Sequence, residues 1–174
     1  MNEPNASPHN TDAYNAIIEK YRNKPGVLLS VLEEVQRITS HTYLDEKALS
    51  YIAEHLDVPL SQVYSVVTFY SFFNLKPQGD HIITVCRGTA CHTRGSKSLL
   101  RDVMLLLGFN EKDSEDGESF FTTADMRFTV RTVACFGQCA LAPVIAVDDV
   151  IHSRMTSEKL EELLKKTMER KAST

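Results

Sequence analysis

The feature that most constrains this chain is the placement of its four cysteines, which stand in two short pairs far apart in the sequence. Cys86 and Cys91 lie in CRGTACHTRGS with the spacing C-x4-C, and Cys135 and Cys139 lie in VACFGQCALAP with the spacing C-x3-C. Cysteine pairs at short spacing indicate either disulfide bonds or a metal or redox site. Which of these applies depends on the compartment in which the protein works.

The overall composition indicates a cytoplasmic globular protein. The 174 residues include 43% hydrophobic and 24% charged residues, which suits one domain or two small ones. No apolar run is long enough to cross a bilayer, and the polar N-terminus MNEPNASPHNTDAYN resembles neither a signal peptide nor an anchor, so we expect no direct membrane insertion. Because the cytoplasm is reducing, we expect metal or redox chemistry at the paired cysteines rather than structural disulfides.

The first part of the chain has the pattern of a helical domain. Residues 1–12 lack hydrophobic periodicity, and we expect a disordered tail there. Apolar residues then recur at a spacing of three to four, which predicts an amphipathic helix whose first turn includes Pro25. A second helix is predicted from Asp45, as its N-cap, and a third from Ser61, after a proline break. The pattern therefore predicts a helical N-terminal domain over residues 13–79.

The segment KPQGD, residues 76–80, has the composition of a loop, and the periodicity changes after it. Short β-rich runs and helical segments follow, interrupted by the acidic stretch NEKDSEDGES, which we expect to be a flexible connection. The predicted strands are HIITVC, FTVRTVAC, VIAVDD and VIHSR, and the predicted helices are GSKSLLRDVMLLLGF and TSEKLEELLKKTMERK. We therefore expect an α+β protein in which residues 80–174 form a separate α/β layer.

The cysteines fall where this second layer could bring them together. Cys86 and Cys135 end two predicted strands, and Cys91 and Cys139 follow in loops. If the two strands are neighbours, the four thiols meet at one edge of the sheet, where they suit zinc or an iron-sulfur cluster. Zinc sites are most often built from tighter C-x2-C loops, so the wider loops favour a 2Fe-2S cluster with two thiolates on each iron, and zinc remains open.

The residues around the cysteines suit an anionic site. Gly88 and Gly137 permit positive φ angles and let backbone N–H groups approach the sulfurs. A helix predicted to open between residues 93 and 96 would place Cys91 just ahead of a helix N-terminus, which favours negative charge. Because four cysteines are available, His92 is expected to lie at the surface or beside the site rather than to replace a thiolate.

The cysteine segments carry a specific family resemblance. CRGTACHTRG followed by VACFGQCALAPVIAVDD resembles the signature of the thioredoxin-like 2Fe-2S ferredoxins, the small iron-sulfur subunits of NADH dehydrogenase (complex I) and of related NAD(P)-linked hydrogenases and formate dehydrogenases. The helical region VLEEVQRITSHTYLDEKALSYIAEHLDVPLSQVYSVVTFYSFFNLKPQG is similar to the N-terminal region of that family. The resemblance covers about residues 20 to 165.

This resemblance implies an N-terminal helical bundle followed by a thioredoxin-like α/β domain, with Cys86, Cys91, Cys135 and Cys139 binding one 2Fe-2S cluster. It implies a flavoprotein partner that binds FMN and NAD(P)(H), together with further iron-sulfur or catalytic subunits. The chain itself would have no catalytic residues, which agrees with its lack of a GxGxxG or other nucleotide motif. Its location would be cytoplasmic, or peripheral to the membrane through a larger complex.

Two smaller expectations concern an aromatic cluster and a proline. Phe69, Tyr70, Phe72 and Phe73 could form a docking patch, but their helical spacing favours a place in the core. By analogy with thioredoxin-like folds, Pro143 is a candidate for a cis proline beside the cofactor.

Two alternative functions share some of these features. The segment ALSYIAEHLDVPLSQVYSVV has the form of a helix-turn-helix, which would suit a metal-sensing DNA-binding regulator. Its second helix has no Lys or Arg, the net charge of the chain is -4, and the basic residues are scattered, so we expect no nucleic-acid partner. A zinc-stabilised interaction module would use the same four thiols. A visible spectrum distinguishes the two, because a zinc protein is colourless and a 2Fe-2S protein is brown.

Overall fold

The computed structural model describes residues 11–109 and 120–170, and the chain divides into two compact units between Gln78 and Gly79. Most of the predicted tail and the acidic stretch NEKDSEDGES lie outside the described residues. Thr11 and Asp12 belong to the first helix, so the prediction of a disordered tail is wrong for these two positions.

Over residues 11–78, the first unit is built from four α-helices and one 3-10 turn. They are α1 (Thr11–Tyr21), α2 (Val27–Ile38), the 3-10 turn Ser40–Thr42, α3 (Glu46–Leu56) and α4 (Leu60–Phe69). The apolar faces of the α-helices meet in a single core whose fully buried members include Ile18, Leu32, Leu49, Ile52 and Val63. Burying a side chain of this size stabilises a fold by about 1.5–3 kcal/mol, so the spacing of these residues accounts for the bundle.

The helix starts match the sequence prediction at one place and differ at two. The Asp45 carboxylate accepts a hydrogen bond from the backbone N–H of Ala48 at 2.7 Å, which confirms the predicted N-cap of α3. Helix α2 begins only after Gly26, whose φ of 72° ends the preceding turn, so Pro25 lies outside the helix. Helix α4 begins one residue before Ser61, with Pro59 at the N-cap position.

The aromatic residues that follow this bundle are divided between core and surface. Phe73 is buried, at 8% exposure, and belongs to the core of the first unit as predicted. The core prediction is wrong for Phe69, Tyr70 and Phe72, because each of these side chains exposes 45% or more of its surface. The prediction assumed that helical periodicity continues through these residues. Because α4 ends at Phe69, the residues after it no longer follow that periodicity.

In its described part, residues 79–109 and 120–170, the second unit contains a five-stranded sheet with helices. Its elements are β1 (His81–Cys86), α5 (Thr89–Thr93), α6 (Ser96–Leu106), β2 (Phe120–Thr122), β3 (Phe128–Val133), the 3-10 turn Cys139–Leu141, β4 (Ile145–Val147), β5 (Val150–His152) and α7 (Ser157–Arg170). The strand order is β2-β3-β1-β4-β5. Strands β1 and β3 are parallel, and the other neighbouring pairs are antiparallel.

The sheet and helices α6 and α7 enclose the second core. Its fully buried members include Ile83, Val85, Val103, Val130, Ile145 and Leu160. Strands β4 and β5 form a hairpin, and its two turn residues Asp148 and Asp149 have φ angles of 50° and 65°, as a type I′ turn requires. Within the described residues, no helix combines the length and the apolar composition that a membrane span requires.

The parallel pair at the centre of this sheet determines where the cysteines lie. Cys86 is the last residue of β1 and is paired in register with Val133, the last residue of β3. Cys135 follows two residues later. Because parallel strands end at the same edge of a sheet, both cysteine-bearing loops start side by side, as the sequence analysis expected.

Candidate metal centre

All four cysteines line one surface pocket at this edge of the sheet. The pocket encloses about 190 Å³, including its open mouth, and is lined by Cys86, Gly88, Ala90, Cys91, Cys135, Phe136, Gln138, Cys139 and Val144. The four thiols are free. The two pairs that are distant in the sequence therefore contribute to the same pocket.

The two cysteine pairs differ in burial. Cys86 and Cys91 are 2% and 3% exposed, whereas Cys135 and Cys139 are exposed at the surface. The sulfurs of Cys135 and Cys139 are 3.8 Å apart, well beyond the roughly 2.05 Å of a disulfide bond. The pocket therefore has a buried wall, formed by the first pair, and a wall open to solvent, formed by the second.

An apolar shell surrounds the buried wall. Cys86 and Cys91 pack with the buried side chains of Ala142 and Val144, and partly buried residues complete the shell: Ala90, Val133, Phe136 and Leu141. Such a shell restricts the access of water to a metal site and lowers the local dielectric, both of which influence a redox potential.

The two loop glycines allow close approach for different reasons. Gly137 has a φ of 77°, as expected for this position, and its N–H donates to the sulfur of Cys135 at 3.2 Å. Gly88 has a φ of -59°, so the expectation of a positive φ is wrong there. A Cβ at Gly88 would lie 2.9 Å from the carbonyl oxygen of Ala134 and 3.3 Å from the sulfur of Cys135, so the absence of a side chain lets the two loops meet.

Backbone N–H groups are directed at the buried sulfurs. Burial raises the pKa of Cys86, but hydrogen bonds from the N–H groups of Gly88 and Phe136 and from neighbouring thiols outweigh it and lower the pKa overall. Burial and the neighbouring Cys86 raise the pKa of Cys91, against the opposing effect of the Val144 N–H. Thus three backbone donors approach the two buried sulfurs, as a site for negative charge requires.

Cys139 lies beside a second thiol, that of Cys135. The hydrogen bond with Cys135 and then the charge of Cys135 raise the pKa of Cys139. Two adjacent thiols resist losing both protons, because the second negative charge must form beside the first. A cation between them would remove this penalty.

The helix predicted to open between residues 93 and 96 is present, since α6 begins at Ser96. The expectation that Cys91 lies directly ahead of its N-terminus is wrong. Cys91 lies inside α5, a short helix that the sequence analysis did not predict, and the longer helix α6 begins only after Gly95. His92 also lies in α5, where its N–H donates to the carbonyl oxygen of Gly88 at 2.8 Å and its side chain is exposed. The expectation that His92 is a surface residue is confirmed.

The segment before β4 forms part of the buried wall of the pocket, where Ala142 and Val144 pack with Cys86 and Cys91. The Ala142–Pro143 peptide bond is cis, as the fold analogy suggested. The carbonyl oxygen of Val144 accepts from the N–H of Cys86 at 3.2 Å, and the carbonyl oxygen of Ala142 accepts from the Arg94 guanidinium at 3.2 Å. Sequence reasoning missed Val144, because an ordinary apolar residue whose contribution is its backbone N–H leaves no signal in the sequence.

The donor set of the pocket is compatible with a 2Fe-2S cluster. Four thiols, two from each loop, can supply two thiolates to each of two bridged irons. The pocket therefore offers the donor atoms of a tetrathiolate site.

Comparison with known proteins identifies the class of this fold and site. A family model described as the thioredoxin-like [2Fe-2S] ferredoxin matches residues 14–168. The solved NAD+-reducing [NiFe]-hydrogenase in its air-oxidized state contains a similar fold, with a TM-score of 0.65 and 23% sequence identity over 87% of this chain. This chain spans only 24% of the length of that hydrogenase chain.

Curated relatives are similar over most of their length. The NADP-reducing hydrogenase subunit HndA of Solidesulfovibrio fructosivorans is 36% identical over 148 residues, which cover 84% of this chain and 80% of that protein. The E subunit of the NADH-quinone oxidoreductase of Rickettsia felis is 35% identical over 150 residues, which cover 85% of this chain and 84% of that protein. This chain belongs to the thioredoxin-like [2Fe-2S] ferredoxin family.

Proposed function

We propose that this chain is an electron-transfer subunit of a multisubunit NAD(P)(H)-linked oxidoreductase and that Cys86, Cys91, Cys135 and Cys139 ligate its one 2Fe-2S cluster. The observation that carries the proposal is that all four free thiols line one pocket in a member of the 2Fe-2S ferredoxin family. The curated relatives described above are named as subunits of oxidoreductases that act on NADP or NADH, which supports the same role here.

A bound 2Fe-2S cluster supplies one-electron transfer. The residues of this chain provide the setting for it. The N–H groups of Gly88, Phe136 and Val144 stabilise negative charge on the buried sulfurs, and the Gly137 N–H does the same for Cys135. The apolar shell excludes water from the buried side, while the exposed side of the pocket leaves a path for electron exchange.

The partner in this proposal is a flavoprotein that binds FMN and NAD(P)(H), and further iron-sulfur or catalytic subunits complete the complex. Hydride chemistry then belongs to the partner, and this chain has no catalytic residue of its own. Its place in the cell is the cytoplasm, or the membrane surface where the larger complex is membrane-bound. A zinc-stabilised module is the second candidate, since it requires the same thiols.

Anaerobic reconstitution with iron and sulfide tests the cluster assignment. The protein should become brown, absorb visible light and give an S = 1/2 EPR signal after one-electron reduction. Changing any one of the four cysteines to Ser should abolish or strongly reduce iron binding and this signal, because one iron then lacks one of its two thiolates.

The matched control is His92→Ala, which removes the imidazole beside Cys91 and leaves all four thiols. Because His92 is exposed, this variant should keep the iron content and EPR signal of the wild type. Wild-type iron in a variant lacking all four cysteines, or a colourless protein that binds zinc alone, would refute the proposal. Isolation of the tagged chain from its native cells, with identification of a co-purifying FMN-containing polypeptide, tests the partner.

A further inference from the structure

An arginine side chain contacts the buried wall of the thiol pocket. Arg94 directly follows α5, the short helix that contains Cys91, and its backbone N–H donates to the carbonyl oxygen of Cys91 at 3.2 Å. Its guanidinium donates to the carbonyl oxygen of Ala142 at 3.2 Å. Both the backbone and the side chain of Arg94 are therefore bonded to the backbone around the buried cysteines, which gives the side chain a fixed place in the site.

The residue that Arg94 contacts lies against the buried cysteines. Ala142 is 3% exposed and packs in one buried cluster with Cys86, Cys91 and Val144. Two residues after Ala142, the N–H of Val144 forms a hydrogen bond with the sulfur of Cys91. The Arg94 side chain thus joins the loop of Cys91 to the segment that supplies one of the donors to its sulfur.

The positive charge of Arg94 is not neutralised by a neighbouring carboxylate. Residues 81–101 and 126–147, which include both cysteine loops, contain no Asp or Glu. Within the described ranges, the ion pairs involve other cations, and the guanidinium of Arg94 is bonded to an uncharged carbonyl instead. A guanidinium stays protonated in proteins. The wall of the pocket therefore includes a permanent positive charge.

The surroundings of this bond let the charge act on the buried sulfurs. The contact between Arg94 and Ala142 is half-buried, and Ala142 belongs to the apolar shell of the pocket. Charges interact more strongly through apolar protein than through water, and salt screens them less there. Lys97, in the first turn of α6, differs in this respect, because its side chain is exposed and forms no hydrogen bond or ion pair with another described residue.

A cation at this place has a definite effect on one-electron transfer. One-electron reduction adds one negative charge to a 2Fe-2S cluster. A nearby positive charge stabilises the reduced form more than the oxidised form, and it therefore raises the reduction potential. Removal of that charge should lower the potential while all four thiol ligands remain.

We propose that Arg94 is a positioning residue of the electron-transfer site: bonded to the Ala142 carbonyl, it holds a permanent positive charge beside the buried cysteines and raises the reduction potential of the cluster. This inference rests on the proposed function, in which the four thiols ligate a 2Fe-2S cluster. It adds the residue of this chain that adjusts how readily the site accepts an electron.

The test compares the midpoint potentials of full chains that carry a reconstituted cluster, by anaerobic redox titration followed through the EPR signal of the reduced form. Arg94→Gln removes the charge and keeps an amide donor for the Ala142 carbonyl, whereas Arg94→Lys keeps the charge. At the wild-type midpoint, the ratio of reduced to oxidised cluster should be about three-fold lower in Arg94→Gln, a shift of about 30 mV for a one-electron couple. Arg94→Lys should restore most of this difference.

The matched control is Lys97→Gln, which removes one exposed cation three residues further along the chain. Its midpoint potential should stay close to that of the wild type. An unchanged potential in Arg94→Gln overturns the inference. Equal shifts in Arg94→Gln and Lys97→Gln overturn it as well, because any surface cation would then have the same effect. So does an Arg94→Lys potential as low as that of Arg94→Gln, because the charge is then not the cause.

The results separate this inference from the proposed function. A wild-type chain without the reduced-cluster EPR signal refutes the cluster assignment itself. A wild-type chain with the signal, and an Arg94→Gln chain with the same potential, refute the role of Arg94 alone. A midpoint potential does not depend on the amount of cluster present, so partial loss of iron leaves the comparison valid. Complete loss of the signal in Arg94→Gln overturns the inference, because Arg94 would then retain the cluster rather than adjust its potential.

Discussion

The two cysteine loops can meet because positions 88 and 137 are glycines, which have no side chain. Gly137 supplies a left-handed backbone conformation, whereas Gly88 has an ordinary φ and supplies space. The atoms that a Gly88 side chain would meet include a backbone carbonyl oxygen, which cannot turn away as a flexible side chain can. A contact of 2.9 Å therefore forces one of the two loops to move.

Gly88→Ala should accordingly reduce the amount of cluster that the protein retains. The added methyl group pushes Ala134 and Cys135 away from the loop of Cys86, and with them one of the thiols. The measurement is iron per chain after anaerobic reconstitution, together with the intensity of the EPR signal. We expect a several-fold loss of both.

Gly95→Ala is the matched control for this substitution. Gly95 has a φ of 93°, but nothing lies within 4 Å of the position its Cβ would occupy. The variant should lose about 1 kcal/mol of stability through backbone strain and keep its cluster. Full iron in Gly88→Ala, or equal loss of iron in both variants, would contradict the role assigned to Gly88.

Among the elements, α2 has a function beyond its contribution to the helical core. Its buried Gln36 satisfies two backbone groups of the turn that follows α4. Gln36→Leu should destabilise the protein by about 2 kcal/mol, because the Phe72 carbonyl and the Asn74 N–H then lose their partners in a partly buried place. Urea denaturation of the full chain, followed by circular dichroism, measures this change.

Gln62→Leu is the control for the loss of a glutamine amide, since Gln62 is an exposed residue of α4. It should change stability by less than about 0.5 kcal/mol. If Gln36→Leu proved as stable as this control, the hydrogen bonds of Gln36 would not be what holds the turn.

Sequence reasoning located the long elements well because their periodicity extends over many residues. The predicted cap at Asp45 and the pairing of the two strands that lead into the cysteine loops are both present. The second of these strands ends at Val133, so the prediction that Cys135 is its last residue is wrong. Helix α1 was not identified, although Tyr14, Ile17 and Ile18 are buried on one of its faces. Its neighbouring polar residues resembled those of a tail.

Short elements near the site were not predictable in the same way. Helix α5 has five residues and β2 has three, so neither is long enough to show a helical or alternating pattern. In the sequence, the spacing of the four cysteines was enough to identify them as candidate ligands. In contrast, the approach of the Val144 N–H to Cys91 depends on a segment that reaches the pocket through the fold of the whole sheet.

On the scale of the whole molecule, every candidate ligand lies in the second unit. The first 78 residues contain no cysteine, and the core of this unit is formed by its own helices. The proposed cluster should therefore stabilise residues 79–174 and leave the helical unit unaffected.

Hydrogen exchange measured on the full chain tests this independence. Removing the metal with a chelator under reducing conditions should speed amide exchange in β1, β3 and the cysteine loops and leave it unchanged in α1–α4. A Cys135→Ser chain prepared without cluster serves as the control and should show no response to the chelator. Faster exchange in the helical unit on metal removal would mean that the two units depend on each other.

Cys86 lies in the sheet, whereas Cys135 and Cys139 lie in an exposed loop. The buried wall and the exposed wall of the pocket should therefore differ in how well they tolerate inserted residues. Cys86 closes a central strand with hydrogen-bonded neighbours on both sides, so a residue inserted within β1 would turn its thiol to the opposite face of the sheet. An insertion between Cys135 and Cys139 would alter how far these two exposed thiols reach and would leave β1 unchanged. Changes in the length of the cysteine loops are therefore expected to accumulate on the solvent side of the pocket, while the strand behind it keeps its length.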